Sequence, residues 1–280
     1  MIKANYTLFK FYLAEMDFYL RHLSLKKYER SLNNCEYYKV IIIQKIVRLF
    51  HSLELLALKI GDEVSARCLL RGILDSVANY CFIYQRHDSD DIMFRHYLYL
   101  LDGWRAYKKS VMVIIEANED RQNSEFVCDH VISNIEDRLR HHPYYLQKPS
   151  TAKFLIQKAN WRFKSLQHPV ALNYRELYLQ LGLNPALTEY YQGYLSQFVH
   201  GLYMSNNDTN LKLKRVLYES IPVAVIFIKA IALTFNNKEL VTLFHRSEEC
   251  QNFLNSKDVN YDDLLEITTA LIRKDKTLLI

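Results

Sequence analysis

Four polar residues, Arg67, Arg71, Asp75 and Asn79, stand four apart in a segment otherwise built from Leu69, Leu70, Ile73, Leu74, Val77, Phe82 and Ile83. Residues four apart share one face of an α-helix. A helix that is apolar over nearly all its remaining surface is buried. Burying a charge is costly unless it is paired. The chain must therefore fold so that other elements bring partners to this stripe. Arg71 and Asp75 can partly neutralise one another, but a half-satisfied buried pair is expensive, so further partners are expected.

The rest of the chain favours the same helical solution. Only 6 Gly and 5 Pro occur among 280 residues, too few turn residues for a many-stranded β fold. Half of the residues are apolar and 24% are charged, the balance of a folded globular chain with a sizeable core. No stretch alternates with period two, and neither an internal repeat nor a low-complexity tract is evident. The expected fold is all-α: one large helical bundle of about nine to eleven helices over residues 1–280, with its core around residues 35–118 and 186–235.

Helical spacings predict elements over about 4–30, 35–60, 63–86, 91–118, 124–141, 173–182, 186–204, 211–235, 238–254 and 261–273. Gly61 and Gly182 stand where helix C-caps favour glycine. Asp62 can cap the following helix, and Asp88 to Asp91 form both a break and a cap. Residues 119–123 read as a polar turn. Pro143, Pro149 and Pro169 mark 143–170 as a candidate hinge or irregular connector.

The partner segment expected for the stripe is Tyr190-Tyr191-Gln192-Gly193-Tyr194-Leu195-Ser196-Gln197-Phe198-Val199-His200-Gly201. Ser196 and His200 are four apart, Tyr190 or Tyr194 can join them, and Gly201 allows another backbone to approach. Histidine titrates nearest neutral pH. Arg71, Asp75, Ser196 and His200 are thus candidate catalytic residues, and Arg67, Asn79, Tyr190 and Tyr194 candidate substrate-binding ones. The competing reading is a buried network that ties the two halves together. Serine–histidine nucleophilic catalysis is disfavoured, because no nucleophile elbow or oxyanion loop is visible.

The net charge of +5 permits nucleic acid as a partner without demanding it. The densest basic stretch, Arg138 to Lys164, interleaves cations with Tyr144, Tyr145, Trp161 and Phe163, a pattern able to track phosphates and stack bases, or simply a solvated connector. The 21 Tyr suit wide helical cores and interfaces, although an AT-rich genome also raises Tyr. The five scattered Cys contain no CxxC and read as buried hydrophobes in a reducing, cytoplasmic compartment. The N-terminal stretch carries Lys3 and lacks a cleavage site, so no secretory leader is expected. The longest apolar run, Ile221 to Phe235, holds Pro222 and Lys229 and is read as a buried helix, so no membrane span is expected. Neither HExxH, a carboxylate–histidine repeat, a Walker A loop nor a Rossmann glycine fingerprint occurs, so no metal or other cofactor is expected.

The pair of segments "ARCLLRGILDSVANYCFIYQ" and "YYQGYLSQFVHG" resembles an uncharacterised bacterial helical family, domain of unknown function 5677, over about residues 35–235. That family pairs an Arg-x-x-x-Glu-like helix with a later Tyr, Ser and His segment. Here Asp75 takes the acidic position, one methylene shorter. The resemblance implies a helical fold and transfers no activity. A looser resemblance is to HEPN domains, helical bundles that often act as metal-independent ribonucleases in defence and toxin systems. Arg162 and His168 match their Arg-to-His spacing, but Phe163 replaces the usual polar residue and Pro169 follows the histidine. A non-local version would use Arg71 to stabilise phosphate charge and His200 to move a proton.

The resulting expectation is a bacterial helical protein of phage-defence or toxin-like type that binds or cleaves RNA without metal. The alternatives are a non-enzymatic scaffold that forms a homodimer or holds a protein partner, and a sensor that binds an anion through Arg67 and Arg71.

Overall fold

The computed structural model describes residues 2–86, 88–114, 119–183, 185–200, 213–235 and 247. The fold is an all-α bundle, with about ten helices among the described residues. The regular structure among the described residues is helical apart from one isolated antiparallel bridge between Phe163 and Ala171. The chain divides into two compact units. The first comprises residues 1–28, 38–81 and 174–280, the second residues 29–37 and 82–173.

The first unit contains α1 (Ile2–Ser24), most of α2 (Cys35–Glu54) and most of α3 (Glu63–Tyr84). A π-helical turn, Leu55–Ile60, continues α2 and ends at Gly61, whose positive φ of 80° lets its N–H return to the Leu56 carbonyl. Asp62 Oδ1 then accepts the Ser65 N–H at 3.0 Å and caps α3. The Ser65 side chain and then its N–H, both bonding the Asp62 carboxyl, hold it below the usual aspartate range. The core joins Phe9, Phe50, Tyr80 and Phe227: ring centroids lie 6.4 Å apart for Phe9 and Phe50, 6.3 Å for Phe50 and Phe227, and 6.2 Å for Tyr80 and Phe227.

The second unit holds α4 (Ser89–Ile114) and α5 (Glu119–Arg140), followed by α6 (Pro143–Gln147) and α7 (Pro149–Lys158). Residues 119–123, expected as a polar turn, are helical. The stretch 143–170 is irregular only after Lys158. Pro143 and Pro149 each occupy a first helical turn, where the missing N–H costs no bond. The His142 side chain caps α6 by accepting the Tyr144 N–H at 3.2 Å. Buried His96 spans the Tyr84 hydroxyl (2.9 Å) and the Leu32 carbonyl (3.0 Å). A carbonyl only accepts, so Nε2 carries the proton and Nδ1 accepts from Tyr84.

The first unit resumes with α8 (Tyr174–Gln180), α9 (Pro185–Glu189), a second π-helical turn (Tyr190–Tyr194), α10 (Leu195–Val199) and α11 (Leu213–Thr234). Gly182, at φ 81°, closes α8. Within α11, Val216–Thr234 is the one helix among the described residues long and apolar enough to cross a membrane, and 67% of its apolar window is buried in the fold. Length does not exclude a span here. Burial marks α11 as a core helix. The expected helices over 238–254 and 261–273 lie outside the described residues.

Candidate functional site

The stripe on α3 divides into two adjoining networks inside the first unit. Arg67 is 1% exposed and donates four hydrogen bonds: Nε and Nη2 to Glu63 Oε1 at 3.2 and 2.6 Å, and Nη1 to Glu219 Oε2 at 2.9 Å and the Tyr190 hydroxyl at 3.2 Å. Its guanidinium carbon lies 5.0 Å from the Tyr194 ring centroid and 5.2 Å from that of Phe198. Burial alone would lower the Arg67 pKa. The Glu219 charge and the Glu63 hydrogen bonds outweigh it and hold the group above the ordinary arginine value. Glu63 Oε2 has no hydrogen-bond partner among the described residues, so two buried carboxylates face one cation.

The second network is more open. Arg71 Nε meets Asp75 Oδ2 at 3.3 Å, and its Nη1 donates to the Tyr191 carbonyl at 3.1 Å. The Tyr178 hydroxyl donates a short hydrogen bond to Asp75 Oδ1. Burial, then the Asp75 charge, raises the Tyr178 pKa, so this phenol stays protonated. The Arg71 guanidinium carbon is 5.1 Å from the Tyr178 ring centroid and 5.8 Å from that of Tyr174. The Arg71 side chain is 12% exposed and that of Asp75 28%. Arg71 Nη2 makes no hydrogen bond among the described residues.

The second π-helical turn brings both networks their partners. Tyr190 and Tyr194 stack with centroids 5.1 Å apart and planes at 23°, one face of this pair lying against Arg67. Tyr191 is buried. Its carbonyl accepts from Arg71, and its hydroxyl donates to the Glu219 carbonyl at 2.6 Å. Such turns often occur at functional positions. Here it lets three neighbouring tyrosines serve three different acceptors and cations.

The predicted residues are therefore not one constellation. Arg67, Tyr190 and Tyr194 belong to the buried network, and Arg71 and Asp75 to the open one. Asn79 ends the stripe with its buried Oδ1 unpartnered among the described residues. Ser196 is half-buried, and its carbonyl accepts the His200 N–H at 3.1 Å. His200 is exposed at the end of α10, and neither side chain makes a hydrogen bond among the described residues. Gly201 lies outside them. Arg162 and His168 stand on the loop after α7, where His168 closes a turn on Ser165.

Glu63, Tyr178, Tyr191 and Glu219 were not singled out from the sequence. Glu63 was within reach, being four residues before Arg67 and so the start of the same stripe. Glu219 carries a weaker signal, a lone acid in the apolar α11. Among the described residues no group of His, Cys, Asp and Glu has the arrangement of a metal site. Comparisons with protein-family models, curated proteins and solved structures yield no match.

Proposed function

We propose that this chain binds RNA through the open Arg71 network, as a cytoplasmic bacterial protein of defence or toxin-like type. The observation that carries this reading is the Nη2 edge of Arg71, which makes no hydrogen bond among the described residues, on a side chain 12% exposed and flanked by the rings of Tyr174 and Tyr178. A guanidinium contacts phosphate with two parallel N–H donors. A half-buried tyrosine beside it offers a face for a base. The resemblance to the uncharacterised helical family, and the looser one to HEPN domains, accord with this reading. Among the described residues Cys35, Cys68, Cys81 and Cys128 form no disulfide, which accords with a reducing compartment.

Arg67 has no comparable role. It is 1% exposed, and its donors are spent on Glu63, Glu219 and Tyr190. It holds α3, α11 and the π-helical turn together, so an anion sensor on the same stripe would rest on Arg71. Cleavage requires in addition that exposed His200 reach the same phosphodiester as a proton carrier.

The test is fluorescence anisotropy of a labelled single-stranded RNA with wild type, Arg71→Ala and Tyr174→Ala, accompanied by melting curves and a cleavage gel without metal that includes His200→Ala. Binding should weaken about tenfold or more in Arg71→Ala, with a salt-dependent affinity in wild type. Equal affinity of wild type and Arg71→Ala, or no binding by either, refutes the reading. Cleavage by wild type that His200→Ala abolishes at unchanged melting temperature would extend it to catalysis.

A further inference from the structure

We propose that the second unit carries a separate binding site for a small phosphorylated polyhydroxyl molecule, in the cleft between the start of α4 and the loop 163–167. The cleft measures about 670 Å³, within the usual range for small-molecule sites. Its wall is polar, with Arg86, Arg95 and Lys164 as cations and Asp88, Asp90 and Asp91 as carboxylates.

Arg95 is the feature that points to a ligand. It is 1% exposed and held on every side but one. Nε bonds both oxygens of Asp91 at 3.0 and 2.9 Å, and Nη1 donates to the carbonyls of Trp161 and Phe163 at 3.0 and 2.8 Å. Phe82 and Phe163 lie 4.6 and 3.8 Å from its guanidinium carbon. Nη2 alone makes no hydrogen bond among the described residues, and Arg95 lines the cleft. On a side chain otherwise fixed by buried bonds, this edge is a charged donor available to an acceptor in the cleft. Burial already pushes the Arg95 pKa down to about 10, with Asp91 working against it.

Arg86 adds a second guanidinium. It stacks 4.5 Å from the Phe82 centroid, its Nε donates to the Phe82 carbonyl at 3.1 Å, and it lies 3.5 Å from Asp91 Oδ2. Two guanidiniums thus share one carboxylate, leaving positive charge on this wall. Exposed Lys164 has no ion pair among the described residues and supplies a third cation. The same lining also carries carboxylates. Asp88 accepts the Tyr144 hydroxyl at 2.6 Å and the Asp90 N–H at 2.9 Å. Asp88 and Asp90 repel a bare dianion but accept hydroxyl protons, as do the amides of Gln85, Gln147 and Gln167. A phosphate at Arg86 and Arg95, with hydroxyls at Asp88 and Asp90, satisfies both kinds of group.

The test uses the full chain and calorimetry or melting shifts with ribose 5-phosphate, inorganic phosphate and ribose, each at about 1 mM, a level that detects weak sites. Ribose 5-phosphate should bind and stabilise, phosphate less, and ribose not at all. Lys164→Ala, on an exposed side chain, should weaken ribose 5-phosphate at least about fivefold at unchanged unliganded melting temperature; Arg86→Ala should weaken it at least as much, its unliganded melting curve showing that it still folds, and Arg95→Lys should abolish binding. Absence of any ribose 5-phosphate effect, or undiminished binding by Arg86→Ala, overturns the assignment. RNA binding that depends on Arg86 without ribose 5-phosphate binding would give the phosphate contact to RNA and also overturn it. Loss of RNA binding in Arg71→Ala alone does not bear on this cleft.

Discussion

Replacing Glu15 by Gln should stabilise the protein at pH 8 and leave it nearly unchanged at pH 4. Glu15 lies on α1, is 6% exposed and accepts the Tyr19 hydroxyl at 2.6 Å. Burial raises its pKa from 4.5 to about 7, and the Tyr19 hydrogen bond only partly opposes this. Below pH 4.5 the carboxyl is protonated in both folded and unfolded chains and costs nothing. Between 4.5 and about 7 the unfolded chain ionises while the folded one stays neutral, so stability falls as pH rises. Above about 7 the buried carboxylate bears its full cost, roughly 3 kcal/mol at about 1.4 kcal/mol per tenfold change in proton affinity. Glutamine keeps the shape and the carbonyl that Tyr19 needs, and removes the charge. For a chain of this size the gain corresponds to roughly 6 °C in melting temperature. Melting curves or urea titrations of both proteins from pH 4 to pH 8 should show the difference opening as pH rises. An equal difference at both ends, or a less stable variant at pH 8, would refute the account of Glu15 as a desolvated, unpaired acid.

Two further outcomes follow from the packing. Arg67→Met should cost roughly 3–5 kcal/mol in denaturant unfolding, because Glu63 and Glu219 then lie buried without their cation, and adding Glu63→Gln and Glu219→Gln should recover much of that loss. Burial pushes the Cys81 thiol up to about 12, so alkylation of the native protein near neutral pH, read by mass spectrometry, should leave Cys81 unmodified until denaturant is added, whereas the half-buried Cys35 and Cys68 label first.

Much of the helical layout was legible because its signals are local. Asp62 and Gly61 punctuate α3 through bonds to residues within a few positions, and Gly182 closes α8 in the same way. The exceptions are also local in cause: Pro143 and Pro149 mark a candidate hinge or irregular connector in the sequence, but proline is accommodated in a first turn. The stripe itself identified Arg67, Arg71 and Asp75 as needing partners. It did not show that Arg67 and Arg71, one turn apart, would draw on different ones. That division depends on Tyr190 offering a hydroxyl and Tyr191 a carbonyl, which a π-helical turn arranges and helical spacing does not predict.

The pattern of apolar and polar residues by itself determined that the chain would be helical, that α3 would be buried and that its polar stripe would require partners. These follow from periodicity and from the cost of an unpaired buried charge, both properties of a single segment. Only the tertiary structure decided which groups answered that requirement. Glu219 stands 152 positions from Arg67. Trp161 and Phe163 lend their carbonyls to Arg95 across 66 and 68 positions. A hydrogen bond depends on distance and angle in space, and sequence separation carries no record of either. For the same reason, whether a guanidinium edge ends buried and spent, as in Arg67, or left open, as in Arg71 and Arg95, is settled by packing.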